Sequence, residues 1–225
     1  MTGLQYLGTV FLTALGGFDP APALIAAAAL AAGIRRRHVL IFAALLLGGT
    51  ALWGLVLSLT GGARLGRVDW HALARDGAVA AWVELALGLV AGGWALYRVL
   101  RRPRPESVRE VRSPWGLYAT AAGFVAIVVF DLPFDVMVVA SAAQPLFLTV
   151  PGWAAWAALS QAPLTILCAA VALGRHTAAA ARMQSLWARL APVAGTVATA
   201  CLTAAALVLV ADAAQFLARG RFLVP

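Results

Sequence analysis

The sequence predicts an all-α polytopic membrane protein of six transmembrane helices, arranged as two inverted three-helix repeats in which helices 1 and 4 are broken at mid-membrane. Three observations carry that prediction. The 225 residues are 63% apolar and 12% charged, with a mean hydropathy of +0.89, against about 45–50% apolar and about 25% charged for an ordinary soluble domain. The apolar residues fall in runs long enough to cross a hydrocarbon core of about 30 Å, which takes about 20 helical residues. Two of those runs, three spans apart, carry the same interruption near their middle.

In chain order the runs cover roughly 4–33, 38–60, 78–100, 115–144, 153–174 and 189–217. The first and fourth hold about 30 residues each; as unbroken helices rising about 1.5 Å per residue they would be rods of about 45 Å, half as long again as the core they cross. Each carries a stop and a new start instead, GGFDPAP at Gly16 to Pro22 and FDLPFD at Phe130 to Asp135. Gly16 and Gly17 permit an exit from the helix, while Pro20, Pro22 and Pro133 lack the amide a continuing helix needs. Asp19 precedes Pro20 as an N-cap precedes a first-turn proline, and Asp131 stands ahead of Pro133 in a looser copy. Three spans between the copies reverse their direction, so the repeat is inverted, an arrangement found in transporters. The organisation expected is a first repeat over 1–100, an Arg/Pro linker RRPRPESVREVRSP over 101–114, a second repeat over 115–217 and a short outer tail over 218–225.

Charge sets the orientation. Seventeen arginines and no lysine stand against nine acids, a formal charge of +8. The arginines punctuate the apolar runs instead of lining one face, so no nucleic-acid partner is expected. With the N-terminus outside, twelve arginines, Arg35 to Arg37 among them, face inward and five (Arg64, Arg67, Arg75, Arg219 and Arg221) face outward, which places both termini outside by the positive-inside rule. The first arginine is Arg35, so the opening run lacks the basic start of a signal peptide. Cys168 and Cys201 lie in apolar stretches without a CxxC, CxxH or HxxxH partner, which argues against a disulfide framework, a zinc site or a redox shuttle. No Walker loop, Rossmann fingerprint or nucleophile elbow is present, so neither an enzyme nor an ATP-driven pump is expected of this chain, and no resident cofactor.

The candidate chemistry lies at the breaks. An ionised carboxylate at the bilayer centre costs about 2.5–3.5 kcal/mol, so Asp19, Asp131 and Asp135 should face an interior or a wet cavity. Asp131 and Asp135 are four apart and share a helix face, and Asp19 approaches them if the two broken helices meet. Three carboxyls in a small space cannot all stay ionised, so at least one holds a proton, as exchange of a cation against protons requires. Against this stands plain capping, the strongest rival for Asp19 and the weakest for Asp135. From spans 2 and 5, Gln161 and Thr50 complete the candidate binding set; back-bonding to their own helices is the stronger rival for Thr50 and Ser160, whereas an amide in hydrocarbon such as Gln161 needs partners at both ends. Glu84 and Asp212 read as interfacial, His38, His71 and His176 as anchors beside arginine or tryptophan, and Trp70, Trp115, Trp153 and Trp187 as interfacial belts. Gly88 and Gly92 form a GxxxG that permits close packing within the chain or across a homodimer.

Those residues carry a resemblance. The opening, FLTALGGFDPAPALIAAAALAAGIRRRHVLIFAALLLGGTALWG, resembles the first repeat of the LysE superfamily of six-helix exporters, the match resting on Pro20, Pro22, Arg35 to Arg37, Gly48, Gly49 and Gly54. The end of span 3, GLVAGGWALYRVLRRPRP, resembles the GAP branch, associated with glycolipid export in actinobacteria. The broken helices are also similar to thiol-reductant carriers of the CcdA type, which place a cysteine at each break; here Asp19 and Asp131 stand there, and thiol transfer is not expected. Aspartates in both leading helices instead resemble the metal-exporting branches of the superfamily, which implies Asp19, Asp131 and Asp135 as ligands of a transported divalent cation, a hard ion such as manganese before copper or zinc.

The function this implies is a proton-coupled secondary exporter of a small cationic solute, an amino acid or a divalent metal ion, in the bacterial cytoplasmic membrane. Two alternatives stand beside it: GAP-like export of a lipid or glycolipid with the aspartates serving as caps, and a non-transporting partner subunit of a larger membrane complex.

Overall fold

Every regular element is helical in the computed structural model, which describes residues 1–67, 77–100 and 113–223, and no strand occurs among them. α1 (Gly3–Gly16) starts from a capping box in which the Thr2 hydroxyl accepts from the Gln5 amide and the Gln5 side chain accepts from the Thr2 amide. It stops at Gly17, and α2 (Ala21–Ala31) restarts with Pro22 in its first turn, bent from α1 by 57°. α3 (Arg36–Leu57) runs on through a π turn at Ser58–Gly62 into a last turn at Ala63–Leu65. α4 spans Gly77–Leu100. α5 (Pro114–Ile127), capped by the Ser113 hydroxyl, tightens into a 3₁₀ turn at Val128–Phe130 and hands over to α6 (Leu132–Ala142) with a 73° bend. α7 (Leu146–Ser160) and α8 (Ala162–Ala172) meet at 88°, and α9 (His176–Arg219) is 44 residues long.

Three helices are long and apolar enough to cross a membrane, α3 with its extension, α4 and the Gly195–Arg219 part of α9, and each of the three bent pairs passes the same test taken together, as a broken span or a re-entrant loop. Side chains such as Leu4, Val79, Leu100 and Phe130 are more than 70% exposed. That suits a surface whose solvent is hydrocarbon, because packing against lipid needs no polar cover.

The chain forms two compact units. The first holds α1 to α3, α5 to α8 and the first turns of α9. Within it α1 packs on α6 and α7, α3 packs on α5, α6 and α7, and α2 packs on α8 and α3. The second holds α4 and the remainder of α9, where Gly88 of the GxxxG lets α4 close on the Ala206 carbonyl and Val210. Asp212, read as interfacial, is buried in this unit and accepts from the Leu223 amide.

The helices in the place expected for span 5 start at Leu146, not near 153, and are bent by 88° between α7 and α8, which the sequence pattern does not foretell. Pro151 and Gly152 look like a loop, yet Pro151 sits inside α7, and Gly152 is where Tyr6 of α1 lies so close that any Cβ would collide with its ring. The earlier start carries Trp153 inward: it is 1% exposed and belongs to the core, not to an interfacial belt. The helix that carries span 6 starts at His176, ahead of the apolar part at Gly195–Arg219, because the Ala-rich stretch before 189 is strongly helix-forming although its arginines lower its hydropathy. Trp70, His71 and Arg75, and the linker over 101–112, lie outside the described residues, as does the tip of the tail at 224–225.

Candidate functional site between two hydrophobic cores

The first unit has two hydrophobic cores, and the helix breaks lie between them. One core is aromatic: Tyr6, Val10 and Ala14 of α1 pack with Phe134, Met137 and Val138 of α6 and with Trp153 and Trp156 of α7. The other is rich in alanine and draws on α2, the first half of α3, α5 and α8, with Ala26, Phe42, Leu117 and Leu164 at its centre. The second half of each broken span thus packs in the opposite core from its first half. α3 serves both: Val39 to Leu47 pack in the alanine-rich core, Ala51 to Leu57 against the aromatic one, and Thr50 falls between.

Few polar atoms in the aromatic core lack a partner. The Tyr6 hydroxyl is 3.0 Å from Ser141 Oγ, Trp153 Nε1 donates to Ser58 Oγ at 3.1 Å, and Trp156 Nε1 donates to Thr13 Oγ1 at 3.1 Å. Ser58 in turn donates to the Gly54 carbonyl at 2.8 Å. These bonds tie α1 to α6, α3 to α7 and α1 to α7, and so hold the first half of span 1 and the second half of span 4 in register around the breaks.

All three breaks meet in the layer between the cores. A Cβ on Gly17 would lie 3.1 Å from Asp131 Oδ2 and 3.1 Å from Trp156 Cζ2, and one on Gly16 would lie 3.2 Å from Pro133 Cγ. The first break therefore touches the second, and does so because glycine stands at both positions. The Asp19 amide donates to the Ser160 carbonyl at 3.0 Å, so the first break also touches the third. Asp131 is within electrostatic range of both Asp135 and Asp19.

The polar side chains of this layer differ in what holds them. Asp19 Oδ1 accepts from the Ala21 amide at 2.9 Å, capping α2 from one residue earlier than a standard N-cap. Asp131 occupies the N-cap position of α6 yet makes no capping bond, and Asp135 lies in the first turn of α6; neither carboxylate has a protein hydrogen-bond partner among the described residues. Both are half-buried. Gln161 stands at the N-cap of α8, likewise without a capping bond, and its Oε1 is buried with no partner. Thr50 is buried and, contrary to the sequence reading, its hydroxyl is not bonded back to its own helix, whereas Ser160 does bond back to the Ala157 carbonyl.

Capping thus accounts for Asp19 and leaves Asp131, Asp135 and Gln161 without a structural task. No group of three or more His, Cys, Asp or Glu side chains is placed to hold a metal ion among the described residues. The ligand set of Asp19, Asp131 and Asp135 is not assembled in this conformation, since Asp19 is turned to Ala21 and Asp131 lies against Gly17. Two elements of the site escaped the sequence reading, the third break and the Trp156–Thr13 bond beside it; Pro163 was the one local signal of the break. Comparison with protein-family models, with curated proteins and with solved structures finds no match to this chain.

Proposed function

We propose that the protein is a secondary transporter of the LysE-like kind that exchanges a small cationic solute, an amino acid or a divalent metal ion, for protons. One observation carries the reading: three broken helices bring their breaks into a single layer in which two carboxylates and an amide oxygen have no protein partner among the described residues. Buried polar groups are nearly always paired, and those that are not point to a ligand or to water.

Electrostatics favours a cation. Three half-helices end in the layer and three begin there, so their terminal partial charges, about −0.5 and +0.5 each, cancel to first order. What remains is the charge of the carboxylates. Asp131 and Asp135 take up the solute in one stroke and protons in the other, so that the empty carrier never moves a bare carboxylate through hydrocarbon. Gln161 Oε1 and the Thr50 hydroxyl supply neutral oxygens, and Asp19 keeps the second half of span 1 in place. The packing supports an inverted repeat: exchanging spans 1 and 2 with 4 and 5 turns the contact of α1 with α7 into that of α5 with α3, and the contact of α2 with α8 into that of α6 with the end of α3. In this reading both termini lie outside the cytoplasmic membrane of a bacterium.

The test is uptake into proteoliposomes under an imposed pH gradient, with arginine, lysine and manganese as probe solutes. Asp131→Asn should lower gradient-driven uptake at least about tenfold while the protein elutes as a folded species, because an amide neither binds a proton nor balances a cation. Asp19→Asn should keep most of the activity, since asparagine caps as well as aspartate. Uptake and pH dependence unchanged in Asp131→Asn would refute the proposal.

A further inference from the structure

A cavity of about 790 Å³ opens where α2 turns into α3 beside the first turns of α9, and it lies wholly within the first unit. Two copies of one turn shape this end. α2 closes with Gly33 at φ +84°, its amide donating to Leu30 and the Ile34 amide to Ala29; α8 closes with Gly174 at φ +72°, its amide donating to Val171 and the Arg175 amide to Ala170. Both are Schellman turns, which end a helix abruptly and let the next one start at once. Ala180, packed into the alanine-rich core, holds α9 against this end.

Arg35, Arg36 and Arg37 all line the cavity, with Thr177 and Gln184 of α9 opposite and Leu30 and Ile34 as an apolar wall. Among the described residues, none of the three arginines forms an ion pair and no acidic residue lines the cavity. The Arg37 Nε donates to His38 Nε2 at 3.3 Å, and Arg35, at the N-cap of α3, leaves the first turn of that helix without a side-chain cap. Three guanidinium groups without an acidic partner among the described residues, an uncapped helix start, and a hydroxyl and an amide facing them make a site for a multiply charged oxyanion.

Depth identifies the source of that anion. α2 has 11 residues and so places the cavity about 16 Å from the layer of breaks. If the breaks lie at mid-membrane, as the proposed function requires, that is half the thickness of the hydrocarbon core, the level of lipid phosphates. We propose that this cavity binds a phosphate-bearing anion, supplied by the headgroup of an anionic phospholipid whose acyl chains run along Leu30 and Ile34.

The test is native mass spectrometry of the detergent-purified full chain titrated with phosphatidylglycerol, with phosphatidylcholine, and with inorganic phosphate. Wild type should retain phosphatidylglycerol at least about tenfold better than phosphatidylcholine. The double variant Arg36→Gln/Arg37→Gln should weaken retention about tenfold to a hundredfold, the worth of one charge-assisted hydrogen bond or more. Ala181→Trp, on the exposed wall, fills the cavity at unchanged charge and should weaken it as well. Equal retention by all three proteins overturns the proposal. Loss in the arginine variant alone also overturns it, because the basic turn would then act as a general attraction to an acidic bilayer. Retention of inorganic phosphate that both variants abolish supports the anion site and assigns it to a free phosphate. None of these readouts measures transport, so the site stands or falls apart from the proposed function.

Discussion

Gly17→Ala tests whether the first two breaks touch. Gly17 ends α1 with φ −90°, a backbone alanine adopts without strain, so the substitution probes space alone. The new Cβ would lie 3.1 Å from Trp156 Cζ2, 3.1 Å from Asp131 Oδ2 and 3.4 Å from the Thr13 carbonyl oxygen. Carbon pairs rest at about 3.5–4.0 Å, so the ring contact is short by about half an ångström. Trp156 has little freedom to retreat: Nε1 is bonded to Thr13, and the ring packs on Phe134 and Trp153 at centroid separations of 5.7 and 5.6 Å. The Asp131 carboxylate, held by no hydrogen bond, gives way on the other side. Overpacking of this kind costs about 1–3 kcal/mol, offset by about 0.4–1 kcal/mol from the lower chain entropy of unfolded alanine, a net loss of about 0.5–2 kcal/mol. At about 2–4 °C per kcal/mol for a chain of this size, Tm in detergent should fall by about 1–8 °C. Gly8→Ala and Gly123→Ala, where nothing lies within 4 Å, should hold or raise it. In proteoliposomes Gly17→Ala should slow uptake because Asp131 is displaced. Melting at or above the Gly8→Ala value, with uptake at the wild-type rate, would refute the contact between the breaks.

Gln161→Leu removes a buried amide oxygen that has no partner and puts an apolar group of similar size in its place, so Tm should rise by the equivalent of about 1 kcal/mol while uptake falls; a parallel loss of both would show that the amide is structural. In Tyr6→Phe and Ser141→Ala each single change strands a buried hydroxyl and should cost about 1–2 kcal/mol, and the double-mutant cycle should return a coupling of about 0.5–1.5 kcal/mol, read by thermal unfolding. Gly174→Ala forces a side chain into the left-handed region at φ +72° and should cost about 1–2 kcal/mol on the same measurement, although no atom crowds the position.

What the sequence discloses about this molecule is what local chemistry can mark. The breaks at Gly17 and Asp131 are legible because proline and an acid, joined by glycine at the first, coincide within seven residues in runs too long for one span. The break at Gln161 is not, because a proline in an apolar run does not by itself separate a break from a kink: Pro151 and Pro192 both pass inside continuous helices. Thr50 and Gln161 could be nominated as polar residues in apolar runs, but whether each hydroxyl or amide finds a partner depends on how the other helices pack around it, which no local pattern carries. The same holds for Trp153, whose place in the core follows from Tyr6 closing on Gly152, a contact between the first and fifth spans that no local pattern encodes. The Arg35 to Arg37 cluster reads as a topology signal from sequence. Its second property, a cavity facing Thr177 and Gln184, exists only once α9 is packed against the turn.

The three breaks also explain one another. Interrupting a helix frees up to four amides and four carbonyls, each expensive in hydrocarbon, so three isolated breaks would be a heavy burden on one small unit. Brought together, they relieve part of it: the Asp19 side chain takes the Ala21 amide, and the Asp19 amide takes the Ser160 carbonyl, a terminal acceptor of the third break. Relief by this route requires close approach, which is why Gly16 and Gly17 stand where Pro133 and Asp131 arrive. It also has a limit, because Asp131, Asp135 and Gln161 Oε1 are left over after the breaks have satisfied one another. A purely structural solution would have kept the spans continuous at no such expense. The leftover oxygens are therefore the part of the arrangement that packing does not need, and in the proposed function they are the part with which the solute exchanges its water.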